Sequence, residues 1–197
     1  MPYTSIGEVK ALAKLSPSDL GLQSESEFDG FISKLILYAQ SLIDSFCNLP
    51  EGFFEPGGIK VIDEEHDYNQ PIRLNLRPII SIQTVEVYRG GAWQTLSPED
   101  YTVDYKAGLI MIIGKAPALT GRSVRISYTA GYIETPEAIK YAAAQICVNM
   151  LHMTLQRRIT PTIRLDDWAI RMVMPEALTQ ELQGILKPFM RRNVEVG

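Results

Sequence analysis

The sequence is poor in the residues that usually carry chemistry. Its 197 residues include only two histidines and two cysteines. His66 and His152 have no partner at metal-ligand spacing. Cys47 and Cys147 lie far apart, each inside an apolar helical pattern, so they read as buried thiols in a reducing compartment rather than a disulfide framework. The sequence has no excess of basic charge. Nineteen Lys and Arg against 23 Asp and Glu give a formal net charge of -4, which offers no broad footprint for nucleic acid. No apolar run approaches the roughly 20 residues of a membrane span. The first residues lack the charged-then-apolar form of a signal segment. The expectation is a soluble protein made in the cytoplasm, with no membrane contact.

The catalytic motifs are missing in detail. A phosphate-cradling loop reads Gly-x-x-x-x-Gly-Lys-Ser/Thr. Here Gly114-Lys115 runs into Ala116, and Gly121-Arg122-Ser123 lacks the upstream glycine, so both read as hairpin turns. No serine stands in a nucleophile elbow. Asp166-Asp167 reads as a surface pair. Asp63-Glu-Glu-His-Asp67 holds enough carboxylates for a hard cation but lacks the glycine and alternating ligands of a calcium loop, so it reads as a solvated turn. No catalytic residue, metal or cofactor is expected.

The chain does carry a clear architecture. With 46% hydrophobic residues it has the material for one globular core, or for a core with an inserted module. The first segment reads as helical in two pieces: Ser5-Ile-Gly-Glu8 and Ser24 with Glu27 have capping-box form, and Ser16-Pro17 places proline at the first helical position. Phe28, Phe31, Ile32, Leu35, Ile36, Ala39, Leu42, Ile43 and Phe46 recur at helical spacing. From about Gly57 the pattern becomes β-like, with runs at 59–62, 72–76, 79–88, 101–105, 109–113 and 124–128. Gly90-Gly91 and Lys106-Ala-Gly108 supply turn glycines, giving an antiparallel module of five or six strands. Thr135-Pro136 then opens a helix to about Gln156 whose two apolar stripes leave only a narrow polar strip. Such a helix is packed on more than one side. Tyr141, Val148, Leu151 and Leu155 on the second stripe are candidates for a subunit interface. Residues 157–174 show no strong period, and Pro175 opens a last helix with Leu178, Leu182, Ile185, Leu186 and Phe189 on one side.

These readings make an α+β chain. Residues 1–56 and 132–197 form a helical core, with an extended arm at 157–174 and a terminal helix. Residues 57–131 form an inserted antiparallel β module. Gly131 lets the chain leave the sheet sharply and Pro136 starts the next helix at a fixed φ, so the two read as a hinge between module and core. Arg157-Arg158 with Arg164, and Arg191-Arg192, are either solvated helix ends or contacts for an acidic partner.

The pieces occur in a distinctive order: Gly7 to Leu12, Leu35 to Asp44, Arg77 to Ile82, Tyr101 to Asp104, Gly108 to Ile110, Tyr128 to Tyr132, Pro136 to Ala142 and Pro175 to Arg192. In that order the chain resembles the head–tail connector (adaptor) proteins of long-tailed bacteriophages and prophages. Residues 157–174, with Trp168, depart from the pattern. The resemblance implies a structural virion protein at the head–tail junction, assembled in the host cytoplasm, and no catalysis. It implies a ring, commonly dodecameric, of subunits that can be monomers alone. The ring would sit below a portal protein, extend the DNA channel without sequence-specific contact to passing genomic DNA, and dock a stopper or tail completion protein. Phe189, Met190, Arg191 and Arg192 are then candidates for gripping the portal, since aromatic, methionine and arginine side chains are enriched in interfaces. The alternative is a glycan- or receptor-binding β module of a tail or baseplate protein, with Tyr88, Trp93 and Tyr101 stacking on a sugar.

Overall fold

A computed structural model describes residues 2–113, 121–159 and 177–191, with the backbone alone for 157–159. The chain is α+β, and it divides into two compact units. Met1–Gly52 and Thr135–Gly197 form the helical unit, and Phe53–Glu134 form the β unit.

In the helical unit, α1 (Ile6–Ala13) starts at a complete capping box. The Ser5 hydroxyl accepts from the Glu8 amide, and the Glu8 carboxylate accepts from the Ser5 amide. Helix α2 (Glu25–Cys47) is capped by Ser24 and ends at Asn48, whose left-handed φ of 54° stops the coil. Its apolar period is repaid in burial: Phe28, Ile32, Leu35, Ile36, Ala39 and Ile43 lie inside. Helix α3 (Glu137–Ile159) is the axis of the unit. Ile139, Ala142, Ala143, Ile146, Cys147 and Leu151 are fully buried, because α1, the Pro17–Leu20 turn, α2 and α4 (Gln180–Leu186) all pack on it. Small side chains at 142–144 let neighbouring helices come close. The described part of α4 starts five residues after Pro175, at a Thr179 cap whose hydroxyl accepts from the Leu182 amide; Pro175 itself lies outside the described residues.

The β unit contains seven described strands: β1 (Ile59–Asp67), β2 (Ile72–Arg73), β3 (Ile79–Arg89), β4 (Ala92–Thr95), β5 (Tyr101–Asp104), β6 (Leu109–Ile112) and β7 (Arg122–Ala130). They form a four-stranded sheet in the order β1-β7-β3-β4 and a three-stranded sheet in the order β2-β6-β5. Every strand pairing is antiparallel. Two features exceed the sequence expectation. Strand β4 forms across the Gly90-Gly91 turn, with Tyr88 opposite Trp93. Strand β1 runs through the acidic stretch 63–67, which is therefore strand and not turn. Its backbone is paired to β7, with one extra residue between Val61 and Glu64. That bulge, with Asp63 at φ 52°, shifts the alternation and turns Glu64 and His66 inward while leaving Ile62 76% exposed. Val85, Val87, Val124, Ile126 and Tyr128 fill the core beneath the sheet.

The ends of the β unit meet. Ile59 and Ile79 both pair with Ala130, the Gly131 amide donates to the Pro78 carbonyl, and the Gly57 amide donates to the Tyr132 carbonyl. Gly131 sits at φ 118°, and a Cβ there would stand 2.8 Å from the Phe53 carbonyl oxygen. Gly30, on an exposed turn of α2, has nothing within 4 Å of its missing Cβ. Opposite outcomes follow for the same substitution. Gly131→Ala should destabilise the β unit by about 2 kcal/mol or more, through strain and overlap with backbone. Gly30→Ala should stabilise the chain by about 0.5–1 kcal/mol. Urea midpoints followed by circular dichroism measure both.

Candidate functional site

The densest polar constellation in the described chain is on the inner side of β1. The Glu64 carboxylate meets His66 Nε2 at 2.6 Å, accepts the Tyr128 hydroxyl at 2.7 Å, and accepts the Asn75 amide at 3.0 Å. The Leu76 amide in turn donates to the Tyr128 hydroxyl. Burial works to raise the Glu64 pKa and is the largest single influence, yet the bonds from His66, Tyr128 and Asn75 together outweigh it and hold the carboxyl below its ordinary value of 4.5. The cluster ties β1, β7 and the 74–76 segment together. Among the described residues, no group of three His, Cys, Asp or Glu side chains converges as metal ligands. These bonds clamp the three segments to one another.

On the other face of the same sheet, the Arg125 guanidinium lies 4.1 Å from the Trp93 ring centroid and bonds Glu65 at 3.1 Å. Tyr88 packs edge-on to Trp93 at 5.3 Å. One face of the indole is thus already occupied by a cation, and Tyr101 belongs to the other sheet. The three aromatic residues proposed for a sugar are thus split between β3 and β4 of one sheet and β5 of the other. Trp93, Tyr88 and Arg125 instead form a cross-strand pair and a cation–π contact.

The candidate interface residues separate by burial. Tyr141 is 47% exposed and Leu155 is half-buried, so both can face a partner. Val148 and Leu151 are 6% and 0% exposed. The helices already packed on α3 cover them, so in this unit they support the surface rather than present it. The helix's second apolar stripe is therefore only partly covered within the unit, with Val148 and Leu151 inside and Tyr141 outside. Sequence periodicity missed Leu37 on α2, which is 66% exposed between buried Ile36 and half-buried Tyr38. Its only sequence signal was a large apolar residue just off the core stripe.

At the other end of the helical unit, Phe189 is half-buried, Met190 is 39% exposed and Arg191 is exposed. The Arg191 amide donates to the Cys47 carbonyl at 2.8 Å, which fixes this tip against the end of α2. Arg192, Arg164, Asp166, Asp167 and Trp168 lie outside the described residues. Burial pushes the thiols of Cys47 and Cys147 up to about 12, with the Asp44 charge adding to the effect at Cys47, which favours the protonated thiol at neutral pH. Gly131 is held by a hydrogen bond and close contacts. Pro136 accepts at its carbonyl from the Ile139 and Lys140 amides and so belongs to the start of α3. No described helix is long and apolar enough to cross a membrane.

No protein-family model matches the chain, and no curated protein matches it. Five chains of solved structures do. One of them comes from the neck of an empty GTA particle computed with C6 symmetry. It covers 84% of this chain and 81% of its own length, at 13% identity and a TM-score of 0.46. At that score the likeness carries no functional weight.

The Glu64 clamp predicts a direction with pH. Its carboxyl is lowered in the folded state, so its contribution to stability is full above the unfolded pKa and is lost as pH falls through the folded one. Glu64→Gln should therefore lower stability at pH 7 and flatten the decline in urea midpoint on acidification. A variant whose acid limb keeps the wild-type slope would remove Glu64 from that role.

Proposed function

We propose that the chain is a structural subunit of a phage-like particle, an adaptor that forms a ring between a portal protein and the stopper or tail proteins. The reading rests on the resemblance of the ordered sequence pieces, and on where those pieces lie. Gly7 to Leu12 falls within α1, Leu35 to Asp44 within α2, and Tyr101 to Asp104 is β5. Tyr128 to Tyr132 closes the β unit, and Pro136 to Ala142 opens α3. The pieces are therefore element cores and junctions, the parts that position surfaces.

The single observation that carries the reading is exposed apolar surface on the helical unit. Leu37 and Tyr141 show 66% and 47% of their surface to solvent, although the unit buries most of its other large apolar side chains. Apolar surface of this kind is what a partner covers. A ring needs a head-to-tail contact between two different patches, and its rotation must close. Leu37 on α2 and Tyr141 on α3 are the candidate anchors for those patches. Met190 and Arg191, at the fixed tip beyond α4, supply the contact to the portal.

The test is native mass spectrometry of the full chain, alone and mixed with the portal protein of the same genome. The expected result is a closed ring in at least one sample. Leu37→Asp with Tyr141→Asp should cut the ring fraction about tenfold or more, as expected when exposed interface anchors are lost, while leaving the melting temperature unchanged. Met190→Asp with Arg191→Glu should weaken the portal adduct and leave contacts between copies intact. A persistent monomer with no portal adduct would overturn the function.

A further inference from the structure

Asp44 lies in the last turns of α2 and is only 2% exposed. A carboxylate there has lost its water and needs donors in its place. Among its partners are two donors from different parts of the chain. Oδ1 accepts the Tyr3 hydroxyl at 2.6 Å, and Oδ2 accepts the Gly52 amide at 2.8 Å. Tyr3 belongs to the short strap of residues 2–5 that precedes α1. Its side chain is 1% exposed, and the strap is fixed further by the Thr4 and Ser5 hydroxyls, which both donate to Glu8. Gly52, at φ 77°, is the last residue of the helical unit before the chain enters the β unit. Between them, the Asp44 carbonyl also accepts the Leu49 amide, closing the turn that leaves α2.

We propose that Asp44 couples the seating of the N-terminal strap to the order of the Gly52 turn. The physical reason is the shared carboxylate. With both donors in place its charge is satisfied inside the unit. If Tyr3 withdraws, a buried charge is left with an incomplete set of donors, which is costly. Turning the carboxylate out to water relieves that cost and gives up the Gly52 amide. Each bond therefore strengthens the other. Release of residues 2–5 loosens the Gly52 turn of the helical unit, far along the sequence from the strap. The strap becomes a handle on that turn.

Amide hydrogen exchange on the full-length chain tests this. Tyr3→Phe keeps the ring and removes only the donor. The Gly52 amide should then exchange about tenfold faster or more, the scale of one hydrogen bond to a charged group. Amides in the middle of α2 should keep their wild-type rates. In an Asp44→Ala background Tyr3→Phe should add nothing at Gly52, because the coupling element is gone. If Asp44→Ala does not fold, Asp44→Asn takes its place and should reduce the effect of Tyr3→Phe. Gly52 protection unchanged by Tyr3→Phe would overturn the coupling. So would an equal acceleration throughout α2, which would mean general loosening.

Discussion

The β unit depends on one close approach of backbone to backbone. Where the chain enters, Gly57 and Gly58 lie against the residues by which it leaves. A Cβ on Gly58 would stand 2.2 Å from the Ala130 carbonyl oxygen, and one on Gly131 would stand 3.0 Å from the Gly58 Cα. No side chain fits there. Glycine at both positions lets Ala130 sit between Ile59 and Ile79 as the shared partner of β1 and β3. Phe53, Phe54 and Tyr132 then pack around the junction, with Phe54 and Tyr132 stacked at 5.7 Å. An insertion whose ends meet can be tied off as a unit, and that accounts for the chain's division into two compact bodies.

The helical unit solves a different problem with one helix. α3 is apolar around most of its circumference, so a single partner would leave it half wet. Four elements cover it instead, and the small residues Ala142, Ala143 and Ala144 allow them close. The polar strip that remains is used. Asn149 donates to the Ala177 carbonyl at 3.0 Å and so fastens the segment leading into α4. Outside this core, Leu37 and Tyr141 remain exposed and are the candidates for contact with a neighbouring subunit.

Much of the fold was legible in local signals. The caps at Ser5 and Ser24, the periodicity of α2 and the turn glycines at 90, 91 and 108 each state their structure within a few residues. What escaped the sequence was decided by partners far along the chain. The stretch Asp63-Glu-Glu-His-Asp67 has the composition of a turn. It is a strand because β7, some 60 residues later, offers Tyr128 to Glu64, Ser127 to Asp63 and Arg125 to Glu65. Val148 and Tyr141 share a stripe by periodicity, yet one is buried and one exposed. Only the placement of neighbouring helices separates them. Trp93 had the exposure-prone setting of a ligand-stacking residue, and nothing local announced that Arg125 would occupy its face.

The most direct test of a β unit closed at its own ends is the exchange of two amides, those of Gly57 and Gly131. Their acceptors are the carbonyls of Tyr132 and Pro78, at 3.0 and 2.8 Å. If the junction is part of the unit's cooperative structure, both amides exchange at the slow rate of the β7 core and accelerate with it in low urea. If they exchange rapidly while β7 stays protected, the ends are ordinary linkers and the account of the insertion is contradicted.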